Sequence, residues 1–216
     1  MLTEGSKAAV HDFRSDTVTL PTPEMMAAVA KAPLGDSGRG DDPTVNELER
    51  LAVELTGKQA AIFVPSGTMA NLSAIIAHEC RGGEVIVEET AHIYNSEGGG
   101  LSAVAGAVAR PVRGQYGMID PADLKAAIRT GADPALAPTR LICLENTHNT
   151  AGGAVLPLDY MAAIHALARE AGVPVHLDGA RLFNAAAYLD VPIREICRHA
   201  DSVWFAFWPG AINETT

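Results

Sequence analysis

Apolar residues fall into short dense runs, separated by longer stretches in which they recur at helical spacing. The runs at residues 59–64, 84–87, 141–145, 173–177 and 202–207 are rich in Val, Ile, Leu and Phe. Runs of this length and density read as strands buried on both faces. Between several of them lie helices with legible ends. Thr22-Pro23, Asp42-Pro43 and Asp120-Pro121 each offer a capping side chain followed by a proline at the first helical position, where its missing N–H costs nothing. Gly57 and Gly172 suit the C-terminal turns. The alternation predicts an α/β fold in which a parallel sheet is covered by helices on both faces. The segment 35–41 contains three glycines and little apolar content, and is the expected mobile loop.

In open α/β sheets ligands bind beyond the carboxyl ends of the strands, so the residues that follow each strand are the candidates for chemistry. The first run is followed by Pro65-Ser66-Gly67-Thr68-Met69-Ala70-Asn71, a small-residue turn that opens a helix. Its free N–H groups suit a phosphate, although a serine such as Ser66 by itself is more often just a helix cap. The second run leads to Ala91-His92-Ile93-Tyr94 and the third to Asn146-Thr147-His148-Asn149, which alone would be a polar turn. The fourth ends in Asp178-Gly179-Ala180-Arg181. An aspartate there can keep a pyridine nitrogen protonated, and an arginine three residues on can fork a carboxylate, a pairing that suits pyridoxal phosphate. As a surface ion pair the same two residues would contribute only ~0–1 kcal/mol.

Composition narrows the classes. With 216 residues, 48% hydrophobic and 19% charged, the chain reads as one globular domain. A net charge of −10 without a basic cluster argues against nucleic acid. The start lacks an apolar leader, and no run approaches the ~20 apolar residues that span a bilayer, so a soluble cytoplasmic protein without a membrane partner is expected. Cys80, Cys143 and Cys197 are odd in number and widely spaced, which suits reduced structural thiols; no metal site is expected.

Five motifs occur in one order: Phe13-Arg14-Ser15-Asp16-Thr17-Val18-Thr19, Ser66-Gly67-Thr68, Ala91-His92-Ile93-Tyr94, Asn146-Thr147-His148-Asn149 and His176-Leu177-Asp178-Gly179-Ala180-Arg181. In these the chain resembles the low-specificity L-threonine aldolase family, within the fold-type I pyridoxal-phosphate enzymes and the aromatic amino acid beta-eliminating lyase/threonine aldolase group, from about Asp12 to Phe205. The resemblance implies a three-layer, parallel-sheet large domain over residues 1–207, followed by a divergent tail at 208–216, with the family's small C-terminal domain absent. It implies retro-aldol cleavage of L-threonine or L-allo-threonine to glycine and acetaldehyde, by a homo-oligomer such as a dimer or tetramer.

The resemblance also distributes roles. Ser66, Gly67 and Thr68 would hold the cofactor phosphate, His92 would stack on the ring, and Asp178 would pair with the ring nitrogen. Ser15 and Arg181 would bind the substrate carboxylate, and His92 or His148 would handle the β-hydroxyl proton. One family feature is missing: Pro209 aligns with the Schiff-base lysine, and the only lysines are Lys7, Lys31, Lys58 and Lys125. Pyridoxal phosphate would then be held non-covalently and activity impaired. Arg39 stands where many relatives carry a tyrosine. The alternatives are a non-catalytic aldolase-like scaffold or pairing partner, and a β-eliminating lyase of another amino acid.

Overall fold

Strands and helices alternate as the hydrophobic pattern predicts in the computed structural model, which describes Asp12 and residues 14–207. Two compact units are present, the larger comprising Pro33–Ala206. Among the described residues of the smaller are a 3-10 turn at Asp16–Val18, capped by Ser15, and helix α1 (Pro23–Lys31), capped by Thr22.

The larger unit carries strands β1 (Glu84–Glu88), β2 (Val108–Val112), β3 (Gly114–Gln115), β4 (Met118–Ile119), β5 (Thr139–Glu145), β6 (Val175–Gly179) and β7 (Ser202–Phe205). Its helices are α2 (Pro43–Thr56), α3 (Gly67–Ala77), α4 (His92–Asn95), α5 (Gly100–Ala103), α6 (Pro121–Ala127), α7 (Leu158–Glu170), α8 (Leu182–Leu189) and α9 (Ile193–Cys197). Five strands form a parallel sheet in the order β2-β1-β5-β6-β7, while β3 and β4 make a separate antiparallel hairpin.

Alternation along the strands divides the core between the two faces. Val85, Val87, Leu141 and Cys143 join Ile75, Ile93 and Leu101 on one side. Ile86, Ile142, Leu144, Val175 and Leu177 join Leu124, Met161, Ile164, Leu182 and Ile196 on the other. Both faces are therefore covered, in three layers. The expected caps are in place: Asp42 accepts from Thr44 N and Val45 N, Asp120 accepts from Ala122 N, and Gly57 ends α2 at φ 71°. All three cysteines are free and buried, and burial pushes the Cys80 and Cys197 thiols up to about 11, as inert structural thiols require. Among the described residues no helix is long and apolar enough to cross a membrane.

The structure departs from the sequence reading at three places. Residues 59–64 form no strand. Only β6 pairs with β7 among the described residues, so no ladder reaches this segment, and Phe63 N donates instead to Glu49 Oε1 at 2.8 Å. Ile62 and Phe63 are left 78% and 51% exposed. Second, β2 and the hairpin were not anticipated. Arg110 and Pro111 disguise β2, and the hairpin turns through Tyr116 and Gly117, both at positive φ as a two-residue connection favours. Third, the 35–41 loop is tied down by polar contacts: Asp36 N donates to Asp41 Oδ1 (2.5 Å), Gly35 N to Asp42 Oδ2 (3.1 Å) and Asn46 Nδ2 to the Gly40 carbonyl (2.8 Å).

Candidate active site

The carboxyl ends of β1, β5 and β6 deliver a group of buried acids and imidazoles. On β6, Val175 and Leu177 enter the apolar core, so His176 and Asp178 point to the opposite face. Both meet α3 there, through Asn71. This fully buried amide donates from Nδ2 to Asp178 Oδ2 at 2.9 Å and to Glu97 Oε1 at 2.7 Å, and its Oδ1 lies 2.9 Å from His176 Nε2. The other Asp178 oxygen accepts from Ala180 N at 3.1 Å. Burial pushes the Asp178 carboxyl up to about 6, and the Glu145 charge adds to this; the Asn71 and Ala180 donors and His92 oppose it.

His92 opens α4. Its backbone N–H donates to Glu145 Oε2 at 2.7 Å, and its Nδ1 lies 3.2 Å from Glu97 Oε1. That hydrogen bond raises the His92 pKa above the ordinary imidazole value against the effect of burial. Glu145 also accepts from Asn149 N at 2.8 Å, which ties the turn after β5 to the turn after β1.

His148 lies deeper. It is fully buried, with Nε2 at 3.1 Å from Glu88 Oε2 and 3.8 Å from Glu145 Oε2, while Nδ1 accepts from Ala151 N at 3.4 Å. Gly117 packs against its ring at φ 80°, where a β-carbon would overlap the imidazole.

Ser66 caps α3, accepting from Met69 N at 3.2 Å, and leaves Gly67 and Thr68 in the first turn. Asn71 lies little more than one turn further along the same helix. Asn71 touches Asp178 and stands five residues along α3 from Ser66, roughly 7–8 Å of helix rise, so the Ser66 turn and Asp178 belong to one locality. Arg181 is half-buried at the start of α8. Ser15 belongs to the smaller unit, and Pro209 lies outside the described residues.

The sequence reading selected His92, His148 and Asp178 but not Asn71, Glu97, Glu145 or Glu88, which hold them. Asn71 had a signal: it stands four residues before Ile75, on the buried stripe of an otherwise apolar helix. The glutamates lie close to strand ends, where burial is not legible from type alone. His92, Glu97 and Asp178 offer ligand atoms within 4.8 Å of one another, but the Asn71 amide already bridges the two carboxylates.

These side chains form an electronegative floor of Asp178, Glu97 and Glu145, with an imidazole at its rim. A cationic ring N–H reaching Asp178 would offset the cost of burying that charge. Of the features that pyridoxal phosphate needs, a buried carboxylate for the ring nitrogen is present in Asp178. An amine is not supplied by Lys58, whose Nζ donates to the carbonyls of Cys197 (2.8 Å) and Ala200, nor by Lys125, which lies on α6.

Comparison with known proteins points to one group. The beta-eliminating lyase family model matches residues 12–212, past Phe205 and over Pro209. The chain is 44% identical over 191 residues to the low specificity L-threonine aldolase of Escherichia coli (strain K12), covering 88% of this chain and 56% of that one. It is also 44% identical over 195 residues to low-specificity L-threonine aldolase 1 of Arabidopsis thaliana, covering 89% of this chain and 54% of that one. The chain thus spans about half the length of these relatives. Its fold matches the threonine aldolase of Leishmania major with a TM-score of 0.75 at 24% identity, covering 88% of this chain and 56% of that one.

Proposed function

Because this chain belongs to the beta-eliminating lyase family, we propose that it carries the pyridoxal-phosphate site of a threonine aldolase-type lyase, cleaving L-threonine or L-allo-threonine to glycine and acetaldehyde. The observation that supports this most is Asp178, a buried carboxylate at a strand end, aimed by Asn71 and set among other acids. When bound, pyridoxal phosphate supplies the electron sink for breaking the Cα–Cβ bond.

The protein's residues bind, orient and move protons around that group. The Ser66, Gly67 and Thr68 turn receives the phosphate at the start of α3. Asp178 holds the proton of the ring nitrogen. His92 would stack on the ring, and with Nδ1 engaged by Glu97 its Nε2 would be the atom that takes the β-hydroxyl proton. His148, enclosed by Glu88 and Gly117, orients the Glu145 side of the pocket. Arg181 forks the substrate carboxylate. The cofactor is held non-covalently, which slows turnover relative to an enzyme with a lysine in place. The working form is a cytoplasmic homo-oligomer, a dimer or tetramer.

Titration of the purified chain with pyridoxal phosphate, followed by absorbance, tests this reading. Saturable binding is expected, abolished in Asp178→Ala, with no cofactor fixed to Lys31, Lys58 or Lys125 after borohydride reduction. Acetaldehyde release from L-threonine should be slow. Absence of saturable binding would overturn the proposal, and binding without any cleavage would make the chain a scaffold.

A further inference from the structure

Asp178 is one end of a continuous line of side-chain hydrogen bonds that crosses from β6 to the far end of α3. Asn71 joins Asp178 to His176, whose Nδ1 lies 2.8 Å from Ser202 Oγ; Ser202 Oγ in turn lies 2.8 Å from Nε2 of His78, the residue that ends α3. The chemistry of the groups gives this line a direction. Two carboxylate oxygens need donors, and Asn71 Nδ2 has two protons, one for Asp178 and one for Glu97. Its Oδ1 is thereby an acceptor, so His176 must present Nε2–H. A neutral imidazole protonated at Nε2 accepts at Nδ1. Ser202 must then donate to His176 and accept from His78 Nε2–H. Every proton in the line has one place.

We propose that Asn71 is a positioning residue for Asp178, and that the His176, Ser202 and His78 line locks the Asn71 amide in the orientation that presents its N–H groups to the site. An asparagine alone turns over when its surroundings permit. Here the reversed amide would set its oxygen against two carboxylates and its NH2 against His176 Nε2–H. The line thus aims Asp178 through neutral donors, which favour its charged form as the nearby His92 does. The groups around Asp178 are Asn71 from α3, His92 and Glu97 from the segment after β1, Glu145 from β5, and the Ala180 N–H of its own turn. Around His176 they are Asn71, Ser202 and His78. Burial keeps His176 uncharged, with its pKa lowered to about 3, as a neutral relay requires. The part played toward the cofactor rests on the reading of Asp178 as partner of the pyridine nitrogen.

Histidine tautomers in the cofactor-free protein test the line directly, by 15N NMR with His176 assigned through its loss in His176→Gln. In the unaltered chain His176 should be neutral and protonated at Nε2 at pH 7 to 8, where Asp178 is ionised. Asn71→Leu should reverse the line: without its acceptor, His176 shifts to the Nδ1–H form and donates to Ser202. Ser202→Ala should leave His176 in the Nε2–H form, because Asn71 still holds it. An Nδ1–H His176 in the unaltered protein, or an unchanged tautomer in Asn71→Leu, overturns the proposal; the unaltered protein and Ser202→Ala decide it if Asn71→Leu does not fold. Pyridoxal phosphate affinity at neutral pH should fall on the order of tenfold or more in Asn71→Leu, the loss expected for a hydrogen bond to a charged group. No cofactor binding by the unaltered chain would overturn the functional reading, whereas the tautomers report on the line independently.

Discussion

Trp204 of β7 packs directly over Gly67, the first residue of α3, so that a β-carbon at position 67 would overlap the indole ring. The contact brings the end of β7 against the turn proposed to receive the phosphate. It also explains why this turn needs glycine, since its backbone approaches an aromatic plane with no room for a side chain.

Gly67→Ala should therefore destabilise the protein by about 1–3 kcal/mol, the usual cost of overpacking. Trp204→Leu in the Gly67→Ala background should recover part of that loss. Urea unfolding of the two single variants and the double variant would show the coupling as non-additivity.

His176 and Asp178 act on acid stability in opposite directions. The His176 pKa is lowered to about 3, so the unfolded chain takes up this proton first, and stability is lost as pH falls from the ordinary 6.5 toward 3. The Asp178 pKa is raised to about 6, so the folded chain takes up that proton first, and stability is gained as pH falls from 6 toward the ordinary 3.8. His176 covers the wider window and should dominate. His176→Gln is expected to flatten the acid limb and Asp178→Asn to steepen it. At pH 7 Asp178→Asn should be more stable by on the order of 1–3 kcal/mol while losing cofactor binding. Denaturant unfolding between pH 4 and 8 would check both slopes.

Glu97→Gln should bring the His92 pKa down, because the hydrogen bond to Glu97 is the largest cause of its elevation. An NMR titration of the His92 ring reads this directly. If His92 Nε2 takes the substrate proton, the lower limb of any pH–rate profile should move the same way.

At Gly117, alanine meets two obstacles at once: a φ of 80° and the His148 ring. Gly117→Ala should cost more than Gly67→Ala, and shrinking the neighbour in a His148→Ala double variant should relieve only the steric part. Thermal unfolding of the set would separate strain from overlap.

Four of the five apolar runs, at 84–87, 141–145, 173–177 and 202–207, fall on strands of the sheet, and the candidates His92, His148 and Asp178 follow from them. Asp178, His92 and Ser66 announce themselves because small or polar residues directly follow apolar runs. The 59–64 run has a strand's composition, yet strand formation requires a partner and none of the described strands reaches it. At β2, Arg110 and Pro111 obscured a strand that, among the described residues, lies at the sheet edge, where one side of the backbone needs no ladder partner. Asn71 could have been found from helix phase. Glu97 and Glu145 could not, since a buried glutamate is specified by the three-dimensional neighbours it accepts from.

Asn71 waits for partners that lie 26, 105 and 107 residues further along the chain, at Glu97, His176 and Asp178. At ~5–20 residues per second of synthesis, α3 precedes the end of β6 by roughly 5–20 s. For that interval the nascent polypeptide has the turn proposed to receive the phosphate but neither Asp178 nor the line that aims it. A cofactor that requires Asp178 could then be captured only after β6 has joined the sheet, and could not guide the earlier steps.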